Sequence, residues 1–175
     1  MYKRQDFPGN YVTSQTEDNG DVWFGTAYAG TINDYTAPEA GNYAWHAHIH
    51  EIGHALGLKH GHENSLDGPM PANVDSMDFS VMTYRSYIGA SVTGGYTNEQ
   101  WGYAQSWMMY DIAALQVMYG ANFDKVGIRA TYRWDKGTGQ QFIGSDAAPN
   151  TGVTATDKIF STVWTQGATV TYDLS

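Results

Sequence analysis

The chain has 175 residues, enough for one substantial core and a small second lobe, and its 42% hydrophobic and 15% charged residues exclude a disordered chain. A net charge of -9 at pH 7 argues against a nucleic-acid partner, which asks for a basic surface, and is read as a solvated surface. There is no Cys, so neither disulfides nor thiolate-bound zinc are available, and no apolar run has the length of a membrane-spanning helix or the place of a signal peptide after Met1.

Residues 1–20 are polar and rich in turn formers, with Pro8-Gly9 and Asp18-Asn19-Gly20. Asp21–Gly25 reads as a short strand entered from a turn, with Tyr11–Thr13 a second candidate. Residues 26–41 read as loop. Asn42 suits a helix N-cap, and a helix is predicted from Tyr43 to Leu56, ended by Gly57. Residues 61–100 hold little periodicity, and so long a loop in a compact domain is usually functional. A second helix is predicted from Ala104 to Tyr119, because Trp107, Met108, Ile112, Leu115 and Met118 recur at helical spacing, and Gly120 stops it. Beyond Asn122 the pattern turns to strands, at Ala130–Trp134, Ile159–Trp164 and Thr169–Asp173. The expected architecture is α+β, divided into residues 1–122 and a β-rich segment of residues 123–175, with no internal repeat.

All six His lie between 46 and 62, around His50-Glu51-Ile52-Gly53-His54-Ala55-Leu56-Gly57-Leu58-Lys59-His60. Residues four apart share a helix face, so His50 and His54 can both turn an imidazole nitrogen to one ion. Gly57 lets the chain leave the helix sharply and bring His60 back as a third ligand. Three protein nitrogens leave one position open for water, as in catalytic zinc sites, and Glu51, beside a ligand, can reach that water. His46 falls one helical turn before His50 and could join the cleft; it, His48 and His62 are otherwise read as surface or supporting residues rather than ligands.

The run H-E-x-x-H-x-x-G-x-x-H followed by Ser80-Val81-Met82-Thr83-Tyr84 resembles the zinc motif and Met-turn of the metzincin endopeptidases, in their serralysin branch (peptidase family M10). Asp111–Gln116 with Tyr119–Asn122 is similar to the helix that closes the serralysin catalytic domain, and Ile159–Trp164 with Thr171–Ser175 to the start of its calcium-binding β-roll. The resemblance implies one catalytic zinc on His50, His54 and His60, with Met82 beneath it. It implies Tyr84 as a mobile ligand and oxyanion donor, and Glu51 as general base. It also implies a catalytic domain of upper sheet, zinc helix, Met-turn and closing helix, secretion, protein or peptide substrates, a monomer, and no membrane or nucleic-acid partner.

Four departures bear on that picture. Few residues precede His50, so the upper sheet is expected to be partial and the chain reads as truncated at its start. Gly61 stands where many serralysins have Pro. The repeats G-G-x-G-x-D are absent, so the chain reads as ending before the RTX β-roll, and Thr165–Val170 lacks acidic residues, so calcium binding is not expected. The expected reaction is zinc-dependent hydrolysis of internal peptide bonds. The alternative is a zinc-binding remnant or adhesin-like module without a working cleft, against which the intact Glu51 speaks.

Overall fold

The computed structural model describes residues 20–64, 68–148 and 158–175. The chain is α+β: helices α1 (Tyr43–Ala55) and α2 (Met109–Tyr119) are followed by strands β1 (Arg129–Trp134), β2 (Gln141–Ile143), β3 (Asp146–Ala147) and β4 (Thr169–Asp173). The strands form one sheet in the order β3-β2-β1-β4. The pairs β1–β2 and β2–β3 are antiparallel, while β1 and β4 run parallel with Arg129 opposite Thr169 and Arg133 opposite Asp173.

Helix α1 begins where Asn42 predicts it. The Asn42 side chain accepts a hydrogen bond from the Trp45 backbone N–H at 2.8 Å, satisfying one of the orphan donors of the first turn. Its end is set by Gly57, which adopts φ +98°, a conformation open to glycine and strained for other residues. The Leu58 N–H bonds the Gly53 carbonyl and the Gly57 N–H the His54 carbonyl, both at 2.9 Å. This is a Schellman termination, and it reverses the chain within three residues of His54.

One core cluster gathers Met77, Val81, Met82, Ala104 and Met108, with Ile49 of α1 packed against it. Two indoles lock α1 to the chain ahead of α2: Trp45 Nε1 donates to the Gln105 carbonyl and Trp107 Nε1 to the Ile49 carbonyl, each at 3.0 Å. A second cluster joins Tyr35, Ala44 and Ala47, with Phe24 and Tyr43 at its margin.

Four expectations are corrected. Asp21–Gly25 forms no strand; Phe24 instead stacks on the His48 ring of α1 at a centroid distance of 3.8 Å, so this segment docks through a side chain rather than a ladder. No strand precedes α1 among the described residues, so the partial upper sheet is not found there, and Tyr11–Thr13 lies outside them. The second helix starts at Met109 instead of Ala104, because the backbone before it is committed elsewhere. The Gln105 carbonyl accepts from Trp45 Nε1 and the Met108 N–H is given to the Asp111 carboxylate, so neither serves the helical turn expected there. Ile159–Trp164 is likewise not a strand: Phe160 and Thr162 are held by the side chains of Gln105 and Ser106. Thr169–Asp173 is a strand as expected, and β1 extends the expected Ala130–Trp134 by one residue.

The carboxylate of Asp111 joins these parts. It accepts from the Ser80 hydroxyl at 2.6 Å, the Val81 N–H at 2.8 Å and the Met108 N–H at 2.9 Å. It therefore caps α2 and fixes the turn that carries Met82. Burial raises its pKa, and the three donated bonds oppose that shift. Asp111→Ala would strand two buried N–H groups and a hydroxyl. We expect it to lower the free energy of unfolding by about 3 kcal/mol, read by urea titration. A loss below about 1 kcal/mol would show that water replaces the carboxylate.

Candidate metal centre

His50 and His54 lie one turn apart on α1, and the Schellman reversal returns His60 to them. The ligand atoms of the three side chains all lie within 4.8 Å of one another, and they form the one such group found among the described residues. His50 and His60 are buried and His54 is half-buried.

Each ring is oriented by an acceptor on its Nδ1. His50 Nδ1 bonds the Val81 carbonyl at 2.7 Å, His54 Nδ1 the Leu58 carbonyl at 2.8 Å, and His60 Nδ1 the Glu63 carboxylate at 2.6 Å. These partners only accept, so Nδ1 carries the proton and Nε2 presents a lone pair. Yet His54 Nε2 and His60 Nε2 lie 2.9 Å apart. Two facing lone pairs repel unless a positive centre lies between them. Tetrahedral zinc with nitrogens at about 2.0–2.1 Å would separate them by roughly 3.3 Å, so this pair would open slightly to take the ion. The residues present therefore fit zinc.

Electrostatics favours the same species. Burial lowers the pKa of His50, helped by the nearby His46, and burial likewise lowers that of His54. Neutral imidazole is the form that binds a metal. The hydrogen bond from His60 holds the Glu63 carboxyl below its ordinary range, so it stays an acceptor.

Met82 is 2% exposed, in the core cluster against which Ile49 and Leu58 pack. A Cβ on Gly53 would come within 2.6 Å of the Met82 sulfur, so a larger residue at position 53 would require the Met82 thioether to shift. The Met82 carbonyl accepts from the Gly61 N–H at 3.2 Å, tying the turn to the residue after His60. A Pro at position 61 has no N–H for that bond.

The ring of Tyr84 lies 4.5 Å from that of His60 and 5.9 Å from that of His50. Burial, then the Glu51 charge, raises its pKa, so at neutral pH the phenol keeps its proton. Glu51 is 5% exposed and shares with His50, Tyr84, His46, Tyr43 and Tyr96 the lining of a cavity of about 300 Å³. His48 is turned to Phe24, with its Nδ1 on the Ala44 carbonyl at 2.7 Å. His62 stacks on His60 at 5.4 Å and lies 4.9 Å from Tyr84.

The structure thus gathers His50, His54 and His60 in one cluster and places Glu51 and Tyr84 on a cavity beside His50. Sequence reasoning missed the orienting acceptors. Glu63, three residues after His60, was findable by reach; the Val81 and Leu58 carbonyls carry no sequence signal.

No family model matches the chain. Among known proteins it is similar to a serralysin of Proteus mirabilis, 33% identical over 164 residues, covering 90% of this chain and 30% of the relative. It is similar to the metallopeptidase AprA of Pseudomonas marginalis, 30% identical over 184 residues, covering 95% and 37%. It is also similar to a serralysin C of Dickeya chrysanthemi, 35% identical over 179 residues, covering 97% and 32%. The chain spans about a third of the length of these relatives. Its histidine centre and these matches make it a metalloprotease homologue. Within that class it is serralysin-like, related to the serralysins along nearly all of its own length.

The contact between Gly53 and Met82 gives a direct test. Gly53→Ala forces the buried sulfur to move, and we expect a loss of about 1–3 kcal/mol in stability together with weaker zinc binding. Calorimetric unfolding and zinc titration that leave both unchanged would show that Met82 does not support the helix at this point.

Proposed function

We propose that the chain is a zinc-dependent endopeptidase segment that hydrolyses internal peptide bonds of proteins. The observation that supports this best is the set of three imidazoles with Nδ1 engaged and Nε2 convergent, beside the buried Glu51. His50, His54 and His60 would hold one zinc, which when bound supplies a Lewis acid that acidifies water and polarises a carbonyl.

The chain's own residues do the rest. Glu51 takes a proton from the attacking water as the new C–O bond forms. The Tyr84 phenol, still protonated, donates a hydrogen bond to the carbonyl oxygen as negative charge develops on it, and it also serves as a mobile ligand. When the C–N bond breaks, Glu51 passes its proton to the leaving nitrogen. Met82 and Gly53 set the floor that keeps the imidazoles in place. The reading as a zinc-binding remnant is disfavoured, since binding alone has no use for a buried carboxylate at position 51.

In this reading residues 1–122 are catalytic, residues 123–175 are the lead-in to a C-terminal β domain, and the protein acts outside the cell as a monomer without calcium of its own. No helix among the described residues is long and apolar enough to cross a membrane.

Glu51→Gln separates chemistry from metal binding. We expect the variant to keep one zinc per chain and to lose at least about a hundredfold in casein hydrolysis. Near-normal hydrolysis, or loss of the zinc, would refute the assigned role.

A further inference from the structure

The cavity beside Glu51 ends on an unusual residue. His46 is 1% exposed, and neither of its ring nitrogens has a hydrogen-bond partner among the described residues. Its neighbours are aromatic faces and edges: Tyr96 edge-on at 4.9 Å and Tyr103 tilted at 5.5 Å. The Tyr96 hydroxyl is already given to the Thr83 carbonyl at 2.8 Å. Buried polar groups are normally satisfied, and an exception marks a place where something else supplies the partner.

His46 lines the same cavity as His50, Glu51 and Tyr84, on a wall shared with Tyr43 and Tyr96. Glu51 delivers its proton to the leaving nitrogen in the reaction proposed above, so the residue that contributes that amine lies nearest this cavity. A volume of about 300 Å³ is enough for one large side chain.

We propose that His46 is a specificity-determining residue: the cavity takes the side chain on the leaving-amine side of the cut bond, and His46 selects one that ends in a neutral hydrogen-bonding group. Tyrosine is then preferred to phenylalanine, and glutamine to leucine. Burial pushes His46 down to about 3, so at neutral pH the ring offers one N–H and one lone pair. A phenol or a primary amide can meet either. A carboxylate is disfavoured, because Glu51 lines the cavity and no Lys or Arg does. An apolar tip leaves the imidazole unpaired, the situation in which enzymes discriminate most strongly between near-isosteres.

This inference rests on the endopeptidase reading, and the experiment keeps the two apart. Peptides that differ only at the residue donating the leaving amine (Tyr, Phe, Gln, Leu or Glu) are given to the zinc-loaded protein, and kcat/KM is compared, with the residue on the acyl side varied as a control. We expect Tyr over Phe and Gln over Leu by about tenfold or more, and Glu poorest. In His46→Leu both ratios should fall to about one. His46→Gln, which keeps a donor and an acceptor in a similar volume, should retain them. Ratios near one in the native protein, or ratios unchanged in His46→Leu, would overturn the role of His46. If zinc is bound and no peptide is cut, the endopeptidase reading fails; calorimetric binding of the same peptides then decides the cavity by the same ratios.

Discussion

A single buried carboxylate sets the geometry on which the metal centre depends. Asp111 takes hydrogen bonds from Ser80, Val81 and Met108 and so joins the start of α2 to the turn of Met82. Val81 gives its N–H to Asp111, and its carbonyl accepts from His50 Nδ1. One residue thus relays the position of α2 to the tautomer and tilt of His50, sixty-one residues before Asp111 in sequence. The Met82 carbonyl, next along, holds the chain just past His60. Metal ligands gain precision from such partners, because an imidazole whose far nitrogen is engaged has one ring orientation and a more basic near nitrogen.

The remaining ligand is fixed by the end of the helix itself. The Schellman turn at Gly57 reverses the chain, brings His60 back and places the Leu58 carbonyl under His54 Nδ1. The same three residues thereby end α1, supply a ligand and orient another. Glycine is needed at 57 for backbone angle and at 53 for space, two different demands within one turn.

The site was more legible in the sequence than the fold around it. His50, Glu51, His54, Gly57 and His60 are related by local geometry, helical spacing and a positive-φ turn, which a sequence displays directly. What failed depended on distant partners. Ile159–Trp164 has strand composition, yet its backbone is taken by Gln105 and Ser106. The start of α2 falls five residues later than expected, where the Gln105 carbonyl is taken by Trp45 and the Met108 N–H by Asp111. Strands β2 and β3 are only three and two residues long, too short to show alternation. His46 was legible as one turn ahead of His50, and nothing in the sequence told that both its nitrogens would be buried without a partner.

The central claim is that three imidazoles, each locked through Nδ1, converge by Nε2 on one zinc. X-ray absorption at the zinc edge of the zinc-loaded chain measures this directly. The account predicts three imidazole nitrogens at about 2.0–2.1 Å with one further light atom, and loss of one imidazole in His60→Ala. A spectrum with fewer than three imidazoles, or one unaltered by His60→Ala, would contradict it.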